Sequence, residues 1–203
     1  KYIEMYIGLP IEFSLSSLHP SQDCEDVWAE RKYMAGINGA VCTTELKKMA
    51  RLEWEKENPH DFIVLGFTLD ENNRFRNFSA EQPHTIPILI DEGYTKADCF
   101  KRIQELGIDL PRVYLQGYPN ANCIGCVKAT SPTYWNHVRK HHPEVFKRRA
   151  EQSRELGVKL TRVKGKRIFL DELPKDAKGQ KMRNMDFECG VFCKPIPWED
   201  ENE

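Results

Sequence analysis

No apolar run in the chain approaches the roughly 18 residues that a membrane-spanning helix needs, so a helical membrane protein is excluded. The N-terminus lacks the charged, apolar and small-residue succession of a secretory signal, and no internal repeat is visible. Cysteine is present but not in the even, dense array of a small secreted domain. There are seven, an odd number, unevenly spaced over 203 residues. That usage fits a reducing compartment with metal-binding or catalytic thiols, and a cytoplasmic location is expected. Disorder is also excluded: the mean hydropathy is −0.62, yet a 40% hydrophobic fraction supports a proper core. The first residue is Lys1 rather than Met, which suggests a fragment or a trimmed chain.

Net charge is nearly absent, at −1, but it is unevenly divided. Residues 136–183 hold 15 Lys and Arg against 6 Asp and Glu, or +9, which leaves −10 for the remainder. A basic block of this kind implies a polyanionic partner, a nucleotide or a nucleic acid. A solvated helical surface has the same composition.

Alternating strands and helices argue for an α/β fold. Ile11–Leu15 reads as a strand, and an amphipathic helix with Val27, Trp28 and Met34 inward follows His19-Pro20. Gly36 and Gly39 flank a loop, and a second helix starts near Thr44 and closes at Pro59. Phe62–Phe67 reads as a fully buried strand of the kind found in parallel sheets covered on both faces. Asp70–Arg76 reads as a polar loop and Ile86–Ile90 as a short strand near an edge. Thr95-Lys-Ala-Asp98 starts a helix as a capping box. On it Cys99, Ile103 and Leu106 share a core-facing side, and Gly107 ends it. Ser131-Pro132 and Pro143 each open a helix. Leu160–Val163 and Arg167–Leu170 around Lys164-Gly165-Lys166 suggest a hairpin.

Four cysteines stand out. Cys123-Ile-Gly-Cys126 is separated by 62 residues from Cys189-Gly-Val-Phe-Cys193. Zinc and iron–sulfur centres both take thiolate ligands, and a C-x2-C loop presents two of them together. Cys123, Cys126, Cys189 and Cys193 are therefore candidate metal ligands. One functional cysteine among ordinary buried thiols is the alternative. His137 and His141, at i and i+4, have a spacing that could bind a metal or simply face solvent. Glu71, Arg74 and Arg76 follow the apolar strand, where open α/β sheets bind ligands, and an Arg there suits phosphate or sulfate or makes a surface ion pair. Cys42–Lys47 opens a helix whose first amides favour anions, with Lys47 as a further charge; a simple N-cap with a solvated lysine has the same spacing.

Several segments, in order, resemble the phosphoadenosine-phosphosulfate (PAPS) reductase family of the adenine-nucleotide α-hydrolase-like fold. Ala40-Val-Cys42-Thr-Thr-Glu-Leu-Lys47 is similar to its cysteine-to-lysine segment. Val64–Arg74 resembles its substrate loop, and Ile88–Asp98 resembles its pro-leu-x-asp-trp stretch with the helix after it. Gly107–Gly117 and Cys123–Cys126 continue the match, and Glu188-Cys189-Gly190 resembles the glu-cys-gly motif of the catalytic nucleophile. The resemblance implies an open, mostly parallel sheet with flanking helices. Residues 1–130 would form the partial α/β domain. Residues 131–203 would form a basic helical and hairpin region with the second cysteine pair. It also implies substrate contacts from Lys47, Glu71, Arg74 and Arg76, and a nucleophile at Cys189.

The chain departs from the family in three places. No ser-gly-gly-x-asp-ser phosphate loop is present, which suggests that an N-terminal strand–loop–helix portion is missing from this chain or is supplied by something else. Val41-Cys42 stands where the iron–sulfur branch has a cysteine pair, and Ala129 follows Cys126 by three. Gly190-Val191-Phe192-Cys193 replaces gly-leu-his. Three functions follow as expectations. The first is a sulfonucleotide reductase using adenylyl sulfate, an iron–sulfur cluster or zinc, and a thiol reductant such as thioredoxin. The second is a nucleic-acid sulfur-modifying relative that holds its polyanion on residues 136–183. The third is a non-enzymatic, zinc-stapled binding module.

Overall fold

The structure is a computed structural model that describes residues 2–36 and 39–182. Helices and short strands are mixed throughout, an α/β composition in the coarse sense. Each sheet among the described residues has two strands. No helix among them is long and apolar enough to cross a membrane. The chain parts at Asn58/Pro59 into two compact units.

The first unit is built on helices. Helix α1 (Tyr2–Ile7) is followed by an irregular segment, then by α2 (Cys24–Arg31). Asp23 starts α2 by accepting the Glu25 N–H at 2.8 Å. Lys32, in the left-handed region at φ 47°, ends it. Val27, Trp28 and Met34 are buried, as their spacing predicts. The two-residue strands β1 (Ala35–Gly36) and β2 (Gly39–Ala40) pair antiparallel. Helix α3 (Val41–Thr43) then runs without a break through a π-helical turn (Thr44–Lys48) into α4 (Met49–Glu57).

The strand expected at Ile11–Leu15 does not form. Among the described residues no neighbouring strand offers it a ladder, and side chains hold it instead. The Ser14 hydroxyl donates to the Ala50 carbonyl at 2.7 Å, and the Trp54 indole donates to Glu12 at 3.2 Å. Phe13 is 82% exposed.

In the second unit, β3 (Ile63–Val64) pairs in parallel with β4 (Thr85–Ile86). A parallel pair needs a crossover, and it is supplied by a 3-10 turn (Leu69–Glu71) and α5 (Asn72–Ser79). This corrects the expected loop at Asp70–Arg76. Thr68 and Glu71 form a capping box that starts helical structure there. The expected strand at Phe62–Phe67 shortens to two residues with a single partner strand, and Val64 is 58% exposed rather than covered. The expected strand at Ile86–Ile90 is mostly helix, α6 (Ile88–Asp91). The Pro87 carbonyl accepts from Ile90 and Asp91, which closes a helical turn directly after the proline.

Helix α7 (Lys96–Glu105) begins at the Thr95–Asp98 capping box and is followed by α8 (Arg112–Leu115). Cys99 on α7 is half-buried rather than a core residue. The densest packing comes later. Helices α9 (Pro132–His141) and α10 (Pro143–Glu155), each with proline in its first turn, pack on each other. Helix α9 also packs on β5 (Thr161–Val163), which pairs with β6 (Lys166–Ile168) in a hairpin, and α10 packs on the 3-10 turn Leu170–Glu172. Trp135, Tyr134, Val138, Leu160 and Leu170 are almost wholly inaccessible. Each such apolar side chain contributes about 1.5–3 kcal/mol relative to exposure.

Candidate functional site: a clamped cysteine loop and a polar turn

The cysteine loop of the second unit turns at Gly125, whose φ of +71° is a left-handed conformation that glycine adopts without a Cβ penalty. Crowding adds to the requirement, because a Cβ there would lie 2.8 Å from Val145 Cγ1. Two side chains from the following helices fix the backbone. Tyr134, on α9, accepts the Cys126 N–H at 2.9 Å and reaches the Cys123 carbonyl at 3.5 Å. Arg149, on α10 and 4% exposed, donates from Nε to the Gly125 carbonyl at 3.3 Å. The Trp135 indole donates to the Ala129 carbonyl at 2.7 Å and holds the exit of the loop. The result is asymmetric: Cys123 is exposed and Cys126 is buried. Burial, with the neighbouring Cys126 thiol, holds the Tyr134 phenol well above its ordinary pKa, so it stays a neutral clamp.

A ring cluster backs this loop. Tyr118 packs edge-on against Tyr134 and His137, at centroid distances of 6.1 and 4.7 Å. Burial pushes the Tyr118 phenol up to about 12. The His137 and His141 rings lie 4.4 Å apart, but His137 is half-buried rather than solvent-facing. Burial first, then the positive charge of His141, lowers its pKa. His142 Nε2 is 3.0 Å from Gln116 Oε1. Among the described residues, no three His, Cys, Asp or Glu side chains are placed to hold a metal ion.

A second polar group forms beyond the carboxyl ends of β3 and β4. Glu71 caps Thr68 and pairs with Arg74, which also lies over the Phe67 ring at 5.5 Å. Asp70 accepts the Lys96 N–H at 2.8 Å at the start of α7. The Lys96 ammonium donates to the Pro119 carbonyl at 2.7 Å and to Asn120. Burial lowers the Lys96 pKa, and Glu71 and Asp70 oppose that shift. The acidic turn is thereby tied to Pro119-Asn120, which leads into Cys123.

Of the residues expected from sequence, Glu71 and Arg74 come together, and Arg76 is exposed on α5 beside Arg74. Lys47 belongs to the first unit and is exposed on the π-helical turn. Its neighbour Glu45 is 3% exposed and is held by His19 and by Arg31 Nε at 2.9 Å. Cys189 and Cys193 lie outside the described residues. Sequence reasoning missed Lys96, Tyr134, Arg149 and the Glu45 pair. The Thr68-x-x-Glu71 spacing was a usable signal for the turn. The clamping roles of Tyr134 and Arg149 depend on helix packing that spacing does not reveal. No family model, no curated protein and no solved structure matches this chain.

Proposed function

We propose that this chain is a PAPS-reductase-like protein acting on an adenylyl sulfate or a related nucleotide, with a four-cysteine iron–sulfur or zinc site at Cys123, Cys126, Cys189 and Cys193. Its fold is then one edge of an open, mostly parallel, adenine-nucleotide α-hydrolase-like sheet, of which β3–α5–β4 is one crossover unit. The observation that carries the reading is the Asp70–Lys96–Asn120 connection. It fastens a polar turn at the carboxyl ends of two parallel strands, where such sheets bind ligands, to the loop that presents Cys123 and Cys126.

The donor set fits the group as far as the described residues reach. Two thiols share one tight loop whose backbone is fixed by Tyr134 and Arg149, and thiolates are the ligands both centres prefer. When bound, an iron–sulfur cluster supplies an electron store, whereas zinc supplies a structural staple. Arg74 and Arg76 neutralise phosphate and sulfate, and Glu71 orients Arg74. In the reductase form of this reading Cys189 is left off the metal, and its thiolate attacks the sulfate sulfur. A sulfur–sulfur bond forms, and the sulfur–oxygen bond to the nucleotide breaks, releasing the nucleotide. A dithiol reductant such as thioredoxin then supplies two electrons and is oxidised to its disulfide as sulfite leaves and the Cys189 thiol is regenerated.

Anaerobic purification with metal analysis, together with sulfite release from adenylyl sulfates, tests this. Cys123→Ser and Cys126→Ser are expected to lose iron or zinc. Cys189→Ser is expected to abolish sulfite release; if it also loses the metal, Cys189 is a ligand rather than the nucleophile. Wild-type protein with neither metal nor sulfite release would overturn the proposal.

A further inference from the structure

The basic block divides, in the structure, into cations that hold the fold and cations that hold nothing acidic. Arg139 donates to the Leu170 and Leu173 carbonyls and stacks over Phe146, and Arg149 is buried against the cysteine loop. Arg154 binds Asp171 and Glu172 at 2.8 and 2.7 Å, and Lys147 takes Glu151. A further group of cations lies on the β5–β6 hairpin, turned by Lys164 and Gly165, which are both at positive φ; of these, Arg167 donates to the Lys159 carbonyl at 3.1 Å.

Its register sets Arg162 directly opposite Arg167. Both are exposed, on the face opposite buried Thr161. Like charges placed across from each other destabilise a ladder. Among the described residues no carboxylate forms an ion pair with Arg162, Lys164, Lys166 or Arg167. The hairpin is nevertheless rigidly based. The Thr161 hydroxyl and the Arg162 N–H both donate to the Thr130 carbonyl, at 3.1 and 2.9 Å, four residues after Cys126.

We infer that this ribbon face binds the phosphodiester backbone of a nucleic acid, with Arg162 and Arg167 as paired phosphate contacts and Lys164 and Lys166 at the tip. A two-stranded ribbon has the width that a duplex major groove admits, and guanidinium forks match phosphate oxygens. An anionic membrane is the less suitable partner, because interfacial binding also uses exposed apolar anchors. The large apolar side chains exposed among the described residues all precede residue 116.

The test is fluorescence anisotropy of the full chain with a labelled DNA duplex, a DNA single strand and an RNA hairpin, over about 50–200 mM salt. Four duplex phosphate contacts predict that Kd weakens about 100-fold over that range, with a log–log slope near −3.6. The Arg162→Gln/Arg167→Gln variant should bind more weakly at every salt, with a slope nearer −2 and a weakening of only about 10-fold. Lys101→Gln/Arg102→Gln, on α7, serves as a charge-matched control and should bind as wild type. A preference for one of the three probes identifies the class of nucleic acid. Four results would overturn the inference: no binding to any probe at about 50 mM salt, equal binding by the hairpin variant, equal loss in the α7 control, or capture by phosphatidylserine vesicles alone. The assay needs neither metal nor nucleotide, so it can fail while sulfite release stands, and the reverse.

Discussion

Tyr134→Phe removes one oxygen from the cysteine loop and leaves the ring in place. Tyr134 is 2% exposed and packs edge-on against Trp135 and Tyr118, contacts that phenylalanine keeps. What disappears is the acceptor 2.9 Å from the buried Cys126 N–H. The 3.5 Å contact to the Cys123 carbonyl is long and contributes little. Depriving a buried donor of its partner costs about 1–3 kcal/mol. For a unit of this size that lowers Tm by roughly 4–11 °C. Reduced, metal-free protein followed by circular dichroism measures the shift. Tyr114→Phe on α8, where the ring still underlies Lys96, should stay within the roughly 0.5 kcal/mol typical of peripheral changes. The loop should also loosen locally, so Cys126 should react faster with an alkylating reagent in the Phe variant. An unchanged Tm together with unchanged Cys126 protection would refute the clamp.

Two further outcomes follow from the same region. Gly125→Ala places a Cβ 2.8 Å from Val145 and 3.3 Å from Arg149 at a left-handed backbone position. It should cost about 2–4 kcal/mol, and Val145→Ala in the same chain should restore the steric part but not the backbone part, as a double-mutant cycle of unfolding energies would show. For His137 the folded-state pKa lies below its ordinary value of 6.5. The unfolded chain therefore takes up the proton first as pH falls. Stability should decline on acidification through that value, and the decline should be smaller in His137→Gln, as read from denaturant midpoints across the range.

Legibility in the sequence followed the locality of the cause. Thr95-x-x-Asp98, Ser131-Pro132, His142-Pro143 and Lys164-Gly165 are short-range chemistry, and each produced the expected cap, helix start or turn. Ile86–Ile90 is an apolar run too short for periodicity to separate strand from helix, and Pro87 decided for a helical turn. Ile11–Leu15 has strand composition, but a strand exists only with a partner ladder, and none is offered among the described residues. In the site, the spacing of Cys123 and Cys126 was visible. The residues that hold them, Tyr134 and Arg149, act through helix packing 8 and 24 residues away. The parallel pair β3–β4 and its crossover follow from the α/β pattern, whereas the helix between them depends on the Thr68–Glu71 capping box, a short-range signal masked by the polar run after it.

The unequal exposure of Cys123 and Cys126 gives the loop a direction in time. A reagent arriving from solution meets the outer sulfur first, because only that one is open to water. Modification is therefore ordered: an oxidant or alkylating reagent marks Cys123 before Cys126, so the outer thiol records what the loop has been exposed to.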